Sequence, residues 1–494
     1  MTTYNQEKKM YRSMLIITLI FALTFASVSV SARKAPAFLL NSRDTVVVLG
    51  DSITADGRYT QLVQDFVDAK YPERQIRFVS AGASGDTVRG SLNRLEKQVY
   101  AWKPDWVLIN LGVNDLGRFS VEEYLTNYEA MINRIYRDTK AKIGIMSFIY
   151  FDRENKDTVK EEAYIAGIQA LAKKYDCLYI PCYETFKAVR PTLPTGVRYA
   201  GDAVHPNQFG YWMFAQSILK ALNYPFDGKP ISLDIPVTRL SAADYPDQAS
   251  LIGKKFTVAL PNPLKVTITK FQPNTTTVPR AAKAVNIDGK LNEWNLNNPI
   301  LIDKHEQQCG GVIKWGQDHH TAKAYTSYDD NAWYFAIAVD TPVVVNTATS
   351  TSIIRDSIEL HVDLRSPEEK AKYGNKAPNF LANQYPHVVQ YLLAPATAQS
   401  PTTWVGKGSG DADMLTGVKA ASSLTNTGYI IEMSVPAALF PSGVITPDAV
   451  YGLDITVDDV DRFEDWSELT QIRWSGSQLS FFSTLEYGMM TIGK

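Results

Sequence analysis

Cysteine is scarce in this chain, with three in 494 residues. Cys177 and Cys182 sit in Cys-Leu-Tyr-Ile-Pro-Cys, which reads as a buried strand, and Cys309 stands alone. An odd separation on a strand points side chains to opposite faces, so no disulfide is expected between the pair. No Cys/His spacing suits a zinc site, and no disulfide framework is present. Histidine is sparse as well: of six, only His205 falls in the first 300 residues. Any imidazole chemistry in that part must run through it. Excess charge is also missing. The formal net charge is −2, and no Lys/Arg-rich run interrupts the chain. That excludes the electrostatic footprint of a nucleic-acid partner.

Long apolar runs are missing after the N-terminus. Lys8, Lys9 and Arg12 precede Met14–Ala26, a run of about 13 residues, short of the roughly 20 needed to cross a bilayer. Small residues, Ser27-Val-Ser-Val-Ser-Ala32, follow. A basic flank, a short apolar run and an A-x-A-like end describe a secretory signal peptide cleaved after Ala32. The expectation is an exported protein, periplasmic or extracellular, with no stable membrane span after cleavage.

What is present divides into regions. From about residue 44 to 224, short apolar runs at 45–49, 76–79, 106–111, 143–149 and 178–180 alternate with amphipathic stretches near 58–70, 88–102, 120–139, 156–175 and 207–222. Strand then helix, repeated five times, predicts an α/β domain with a parallel sheet covered by helices on both faces. Asn207 is placed to cap the last helix. Residues 225–280 are punctuated by eight prolines, with strand-like pieces at 256–260 and 266–271. Asn274–Pro279 is the expected flexible end. From about 284 the period shortens to two, with strands near 323–328, 332–339, 357–364, 387–393, 429–435 and 452–457. This predicts a β-sandwich. The expected division is 1–32 signal peptide, 33–228 α/β domain, 229–283 linker with a short β element, and 284–494 sandwich.

Ligands of a parallel sheet bind at the carboxyl ends of the strands, near the switch in strand order. Gly50-Asp51-Ser52 follows the first strand, Ser80-Ala-Gly-Ala-Ser-Gly85 the second and Gly112-Val-Asn114-Asp115 the third. Asp202 and His205 lie just before the last helix. A carboxylate three residues from an imidazole can hold its Nδ1, leaving Nε2 to take a proton from Ser52. The Ser52 amide, the Gly85 amide and the Asn114 side chain are candidate donors to an oxyanion.

These four blocks resemble the SGNH (GDSL-type) hydrolases. The resemblance implies Ser52 as nucleophile, His205 as base and Asp202 as its orienting acid. It places Ser52, Gly85 and Asn114 in the oxyanion hole, with Gly82 as a nearby alternative to Gly85. One departure is Ser80, where the family often has Asn. The implied chemistry is acyl transfer to water without metal or organic cofactor. A G-x-S-x-G elbow, mark of the α/β-hydrolase fold, is absent around Ser52.

The second region opens on Val285-Asn-Ile-Asp-Gly-Lys-Leu-Asn-Glu-Trp294 and resembles family 9 carbohydrate-binding modules and their DOMON-like relatives. Such modules stack aromatic rings on sugars, which nominates Trp294, Trp315, Trp404, Trp466 and Trp474, and they can hold structural calcium. Trp333, inside an apolar strand, reads as core. Together the two resemblances imply an exported esterase acting on acylated carbohydrate, O-acetyl groups foremost. The alternatives are a small-acyl esterase, thioesterase or lysophospholipase, and a non-catalytic carbohydrate-binding protein. A flavodoxin-like nucleotide binder would need a phosphate-cradling glycine loop, and Gly50-Asp-Ser puts a carboxylate there instead.

Overall fold

A computed structural model describes residues 36–151, 157–200, 204–237, 249–304, 307–311, 320–346, 355–374, 386–460, 469–475 and 484–494. The signal-peptide expectation for 1–32, and with it the cleavage site, lies outside these residues. All elements below belong to the unit Leu39–Lys494.

Five strands, β1 (Thr45–Gly50), β2 (Arg77–Gly82), β3 (Trp106–Asn110), β4 (Lys142–Met146) and β5 (Leu178–Ile180), form one sheet in the order β2-β1-β3-β4-β5. Every pairing is parallel. Val46, Val47, Val48 and Leu49 are all buried, so β1 is covered on both faces, as an unbroken β-branched run requires. Burying each such side chain contributes about 1.5–3 kcal/mol. Helices Arg58–Lys70, Val121–Asp138, Thr158–Lys174 and Gln208–Ala221 match four of the expected amphipathic stretches. Val121–Asp138 starts with a Ser120/Glu123 capping box, and Asn207 caps Gln208–Ala221 by accepting from the Gly210 amide.

Two local readings differ from the structure. The helix expected over 88–102 breaks into short pieces, Val88–Ser91, Leu92–Arg94, Leu95–Gln98 and Tyr100–Trp102. One break falls at Arg94 (φ −113°, ψ 3°), whose side chain binds strand carbonyls, and a second at Val99 (φ −120°, ψ −56°). The Cys177–Cys182 segment is not one strand. Pro181 has no N–H for the ladder, β5 stops before it, and Cys182 begins helix Cys182–Val189. Both cysteines are free.

Strands Ile231–Pro236, Leu264–Thr269 and Lys255–Val258 make a three-stranded sheet in that order. It packs on helix Gln208–Ala221, with Phe256 edge-on to Phe209 at 5.6 Å. Gln216 and Asn262 exchange two 2.8 Å hydrogen bonds across the contact. Within 274–279, read as flexible, Thr275–Val278 is a strand paired parallel with Gly488–Ile492.

The rest is a two-sheet sandwich. One sheet runs Ile300–Ile302, Thr321–Tyr328, Ala332–Asp340, Gly428–Pro436, Lys419–Leu424. The other runs Gln308–Gly311, Thr470–Arg473, Val450–Asp459, Ser357–Asp363, Val388–Ala394, Trp404–Gly410. Their facing apolar side chains, Trp333, Phe335, Leu360, Tyr391, Ile431 and Ile455 among them, form the core. The 285–294 segment is stapled to this body by one carboxylate. Glu432 accepts from the amides of Asp288 (2.9 Å), Gly289 (2.5 Å) and Lys290 (3.2 Å) and from Trp294 Nε1 (2.6 Å).

Glu432→Ala removes the acceptor of the buried Gly289 amide and Trp294 Nε1 and of the Asp288 amide, while the Lys290 amide keeps Asp288 Oδ1 at 3.0 Å, and each unsatisfied buried donor costs about 1–3 kcal/mol. Allowing for water entering the gap, a loss of about 3 kcal/mol is expected in denaturant unfolding, and less for Glu432→Gln, whose amide oxygen still accepts. A Glu432→Ala variant as stable as wild type contradicts this.

Candidate active site

The register sets the site. Gly50 lies beside Gly82 on β2 and Asn110 on β3, so the three strands end level with one another. The order changes sides at β1, which opens the crevice that parallel sheets use for ligands. Asp51 leaves β1 in extended conformation and caps the short helix Ser52–Ala55, its carboxylate accepting from the Ile53 amide at 3.0 Å. Ser52 is thus the first residue of a helix at the mouth of the crevice. Its Oγ lies 2.8 Å from Nε2 of His205, across 153 residues of sequence.

The loop bearing His205 is closed at its neck. Ala200 and Pro206 form an antiparallel bridge, and the Asn207 amide donates to the Tyr199 carbonyl at 2.8 Å. Asn207 Nδ2 donates to the Arg198 carbonyl at 2.5 Å. Asp202 lies outside the described residues.

The other two turns meet. Asn114 Nδ2 donates to the Asp86 carbonyl at 2.9 Å, which joins the turn after β3 to the turn after β2. Gly85 takes φ +73°, a left-handed conformation that favours glycine, and open space surrounds the position of a Cβ. Gly82, by contrast, ends β2 with the Ala55 backbone packed against it. Gly112 takes φ +140°, and a Cβ there would run into the Phe148 ring.

Sequence reasoning missed the charged groups beneath these turns. The Asp86 carboxylate accepts from Arg94 Nε (2.6 Å), Ser91 Oγ (2.5 Å) and the Thr87 amide (2.8 Å). Asp115 accepts from the Val88 amide at 3.1 Å. Burial pushes Asp115 up to about 7, and the negative charges of Asp51 and Asp86 push the same way. Burial also pushes Asp51 up to about 7, against the Ile53 amide, His205 and Arg94, which favour its charged form. Asp56, paired with Arg58 Nε at 2.9 Å, is likewise raised by burial. The available signal was position: Asp51, Asp86 and Asp115 each sit in a turn that follows a predicted strand.

The nominated tryptophans are scattered. Trp294 is 9% exposed and belongs to a small apolar cluster with Ala332, Tyr334 and Ala336. Trp474 is 7% exposed and belongs to the sandwich core, as does Trp333. Trp404 is half-buried, with the Arg355 guanidinium 4.6 Å from its ring centre. Trp315 and Trp466 lie outside the described residues. Among the described residues no three His, Cys, Asp or Glu side chains are grouped to hold a metal ion. No described helix is long and apolar enough to cross a membrane.

A five-stranded parallel sheet flanked by helices, with a serine and an imidazole meeting at its switch point, is an SGNH-type hydrolase fold. Residues 48–213 match the model of the GDSL-like lipase/acylhydrolase family, and residues 287–493 match that of the carbohydrate family 9 binding domain-like family. An acetylxylan esterase from Geobacillus stearothermophilus is 30% identical over 213 residues, covering 37% of this chain and 96% of that protein. The thioesterase 1/protease 1/lysophospholipase L1 of Escherichia coli (strain K12) is 27% identical over 194 residues, covering 37% of this chain and 86% of that protein. A crystal structure of an acetylxylan esterase from Geobacillus stearothermophilus is 27% identical, with a TM-score of 0.35, and covers 38% of this chain and 97% of that one. The chain belongs to the GDSL-like lipase/acylhydrolase family. It is a carboxylic ester hydrolase with a carbohydrate-binding-type domain.

The raised Asp115 carries a pH signature. Its ordinary value is 3.8 and its folded value about 7. Between those values the folded state keeps a proton that the unfolded chain has released, so stability falls as pH rises and is flat on either side. Asn has no proton to release. Relative to wild type, Asp115→Asn should therefore gain in Tm as pH goes from about 4 to about 7, then level off. A Tm difference constant across that range contradicts the assignment.

Proposed function

We propose that this protein is an exported serine esterase that removes O-acetyl groups from carbohydrate. The observation that carries the reading is the 2.8 Å approach of Ser52 Oγ to His205 Nε2 at the strand ends. In this reading Ser52 attacks the ester carbonyl as His205 takes its proton, with Asp202 holding the imidazole from its Nδ1 side. The Ser52 amide, the Gly85 amide and Asn114 Nδ2 stabilise the oxyanion. His205 returns the proton to the leaving alcohol. It then activates a water that releases acetate and restores Ser52.

The substrate class rests on the acetylxylan esterase relative and on the carbohydrate-binding-type domain. Within that domain, Trp404 is more exposed than Trp294 or Trp474 and is the better candidate sugar contact. Export rests on the basic flank, apolar run and small residues that end at Ala32.

The test is turnover of p-nitrophenyl acetate and of acetylated xylan by wild type, Ser52→Ala and His205→Ala. Wild type should release acetate from both, and each variant should lose at least about 10³-fold in kcat. Equal turnover by wild type and Ser52→Ala overturns the nucleophile assignment. A preference for long-chain acyl esters and thioesters over acetate would move the substrate to the class of the E. coli relative.

A further inference from the structure

The geometry points to Arg94 as the positioning residue that holds the three candidate oxyanion donors in one frame, a reading that rests on the proposed role of Ser52. A guanidinium has five N–H donors in a fixed fork. The donor groups of Arg94 make five hydrogen bonds. Nε donates to Asp86 Oδ2 at 2.6 Å. Nη1 donates to the Ala81 carbonyl and to Gln98 Oε1, each at 2.7 Å. Nη2 donates to the Gly50 carbonyl at 2.7 Å and to Ser91 Oγ at 3.1 Å.

Those acceptors are the roots of the site. Gly50 ends β1 and leads through Asp51 into Ser52. Ala81 lies at the end of β2. Asp86 follows Gly85, and its carbonyl accepts from Asn114 Nδ2 at 2.9 Å. One side chain therefore ties together the segments that carry the Ser52 amide, the Gly85 amide and the Asn114 amide group. The chain departs from helical geometry at Arg94 itself, at φ −113° and ψ 3°. The surrounding helix is interrupted where this side chain reaches the sheet.

The charge matters as well as the fork. Arg94, 13% exposed, pairs with Asp86 at 2.6 Å and its positive charge also acts on Asp51, the residue before the nucleophile. An oxyanion forming near the Asp86 carboxylate without that cation would meet a less favourable field. Lysine cannot replace it, because a single ammonium cannot reach Gly50, Ala81 and Asp86 from one fork.

The test uses the full chain and p-nitrophenyl acetate. Arg94→Met leaves the part-buried Asp86 without its cation, so Arg94→Met/Asp86→Asn, which removes both charges, is the variant to test. Arg134→Met is the control: Arg134 binds the Leu92 carbonyl and Glu96 on the same segment but reaches no strand end. The double variant should melt cooperatively and lose about 10²-fold in kcat, with KM within about threefold of wild type. Arg94→Lys should not restore kcat, and Arg134→Met should match wild type. A double variant within about twofold of wild-type kcat, a loss confined to KM, or full activity in Arg94→Lys overturns the assignment. Equal turnover by wild type and Ser52→Ala would instead overturn the Ser52 reading, and this inference with it.

Discussion

Everything at the site follows from the parallel register that sets Gly50 beside Gly82 and Asn110. Hydrogen bonds along β1 and its two neighbours bring three strand ends to one level. The chain then turns at each of them within a few residues. A slip of one residue on β1 would flip its side chains between faces and move Asp51 and Ser52 away from the crevice. The all-apolar run Val46–Leu49, buried on both sides, restrains that slip only weakly by alternation. The glycines and the polar turns supply the rest of the register. Ala83 donates to the Gly50 carbonyl, and Asn114 reaches the Asp86 carbonyl.

Around this frame the protein accepts an electrostatic cost. Asp51 and Asp115 are buried close to one another and to Asp86, and both are raised toward neutrality by the loss of water. A buried carboxylate persists where backbone amides and a cation compensate it. Asp51 has the Ile53 amide, Asp115 the Val88 amide and Asp86 the Arg94 guanidinium. Each of those amides lies at the start of a short helix that follows a turn of the site. The hydrogen bonds that stabilise the carboxylates are therefore the ones that fix the turns.

Much of this was legible in the residues. Five apolar runs became five parallel strands, four amphipathic stretches became helices, and Asn207 caps the last of them. The single N-terminal-half imidazole did meet Ser52. Motif spacing carries such facts because strand ends and turns are local. Arg94 was not legible, because a residue in an amphipathic stretch reads as solvent-facing until tertiary contacts break the helix. Cys182 was misplaced because Pro181 ended the strand at Ile180, two residues before the end of the Cys177–Cys182 segment. Trp294, read from its motif as a sugar platform candidate, donates its indole N–H to a carboxylate 138 residues away, a pairing no local pattern announces.

Ser52 is the residue proposed to form a covalent bond with substrate. Treating the full chain with a fluorophosphonate and mapping the adduct by peptide mass spectrometry reads this directly. A stoichiometric adduct on the peptide containing Gly50-Asp51-Ser52, localised to Ser52 and absent after denaturation before labelling, is the predicted result. An adduct on another residue, or none under conditions where the esterase turns over, would contradict the account.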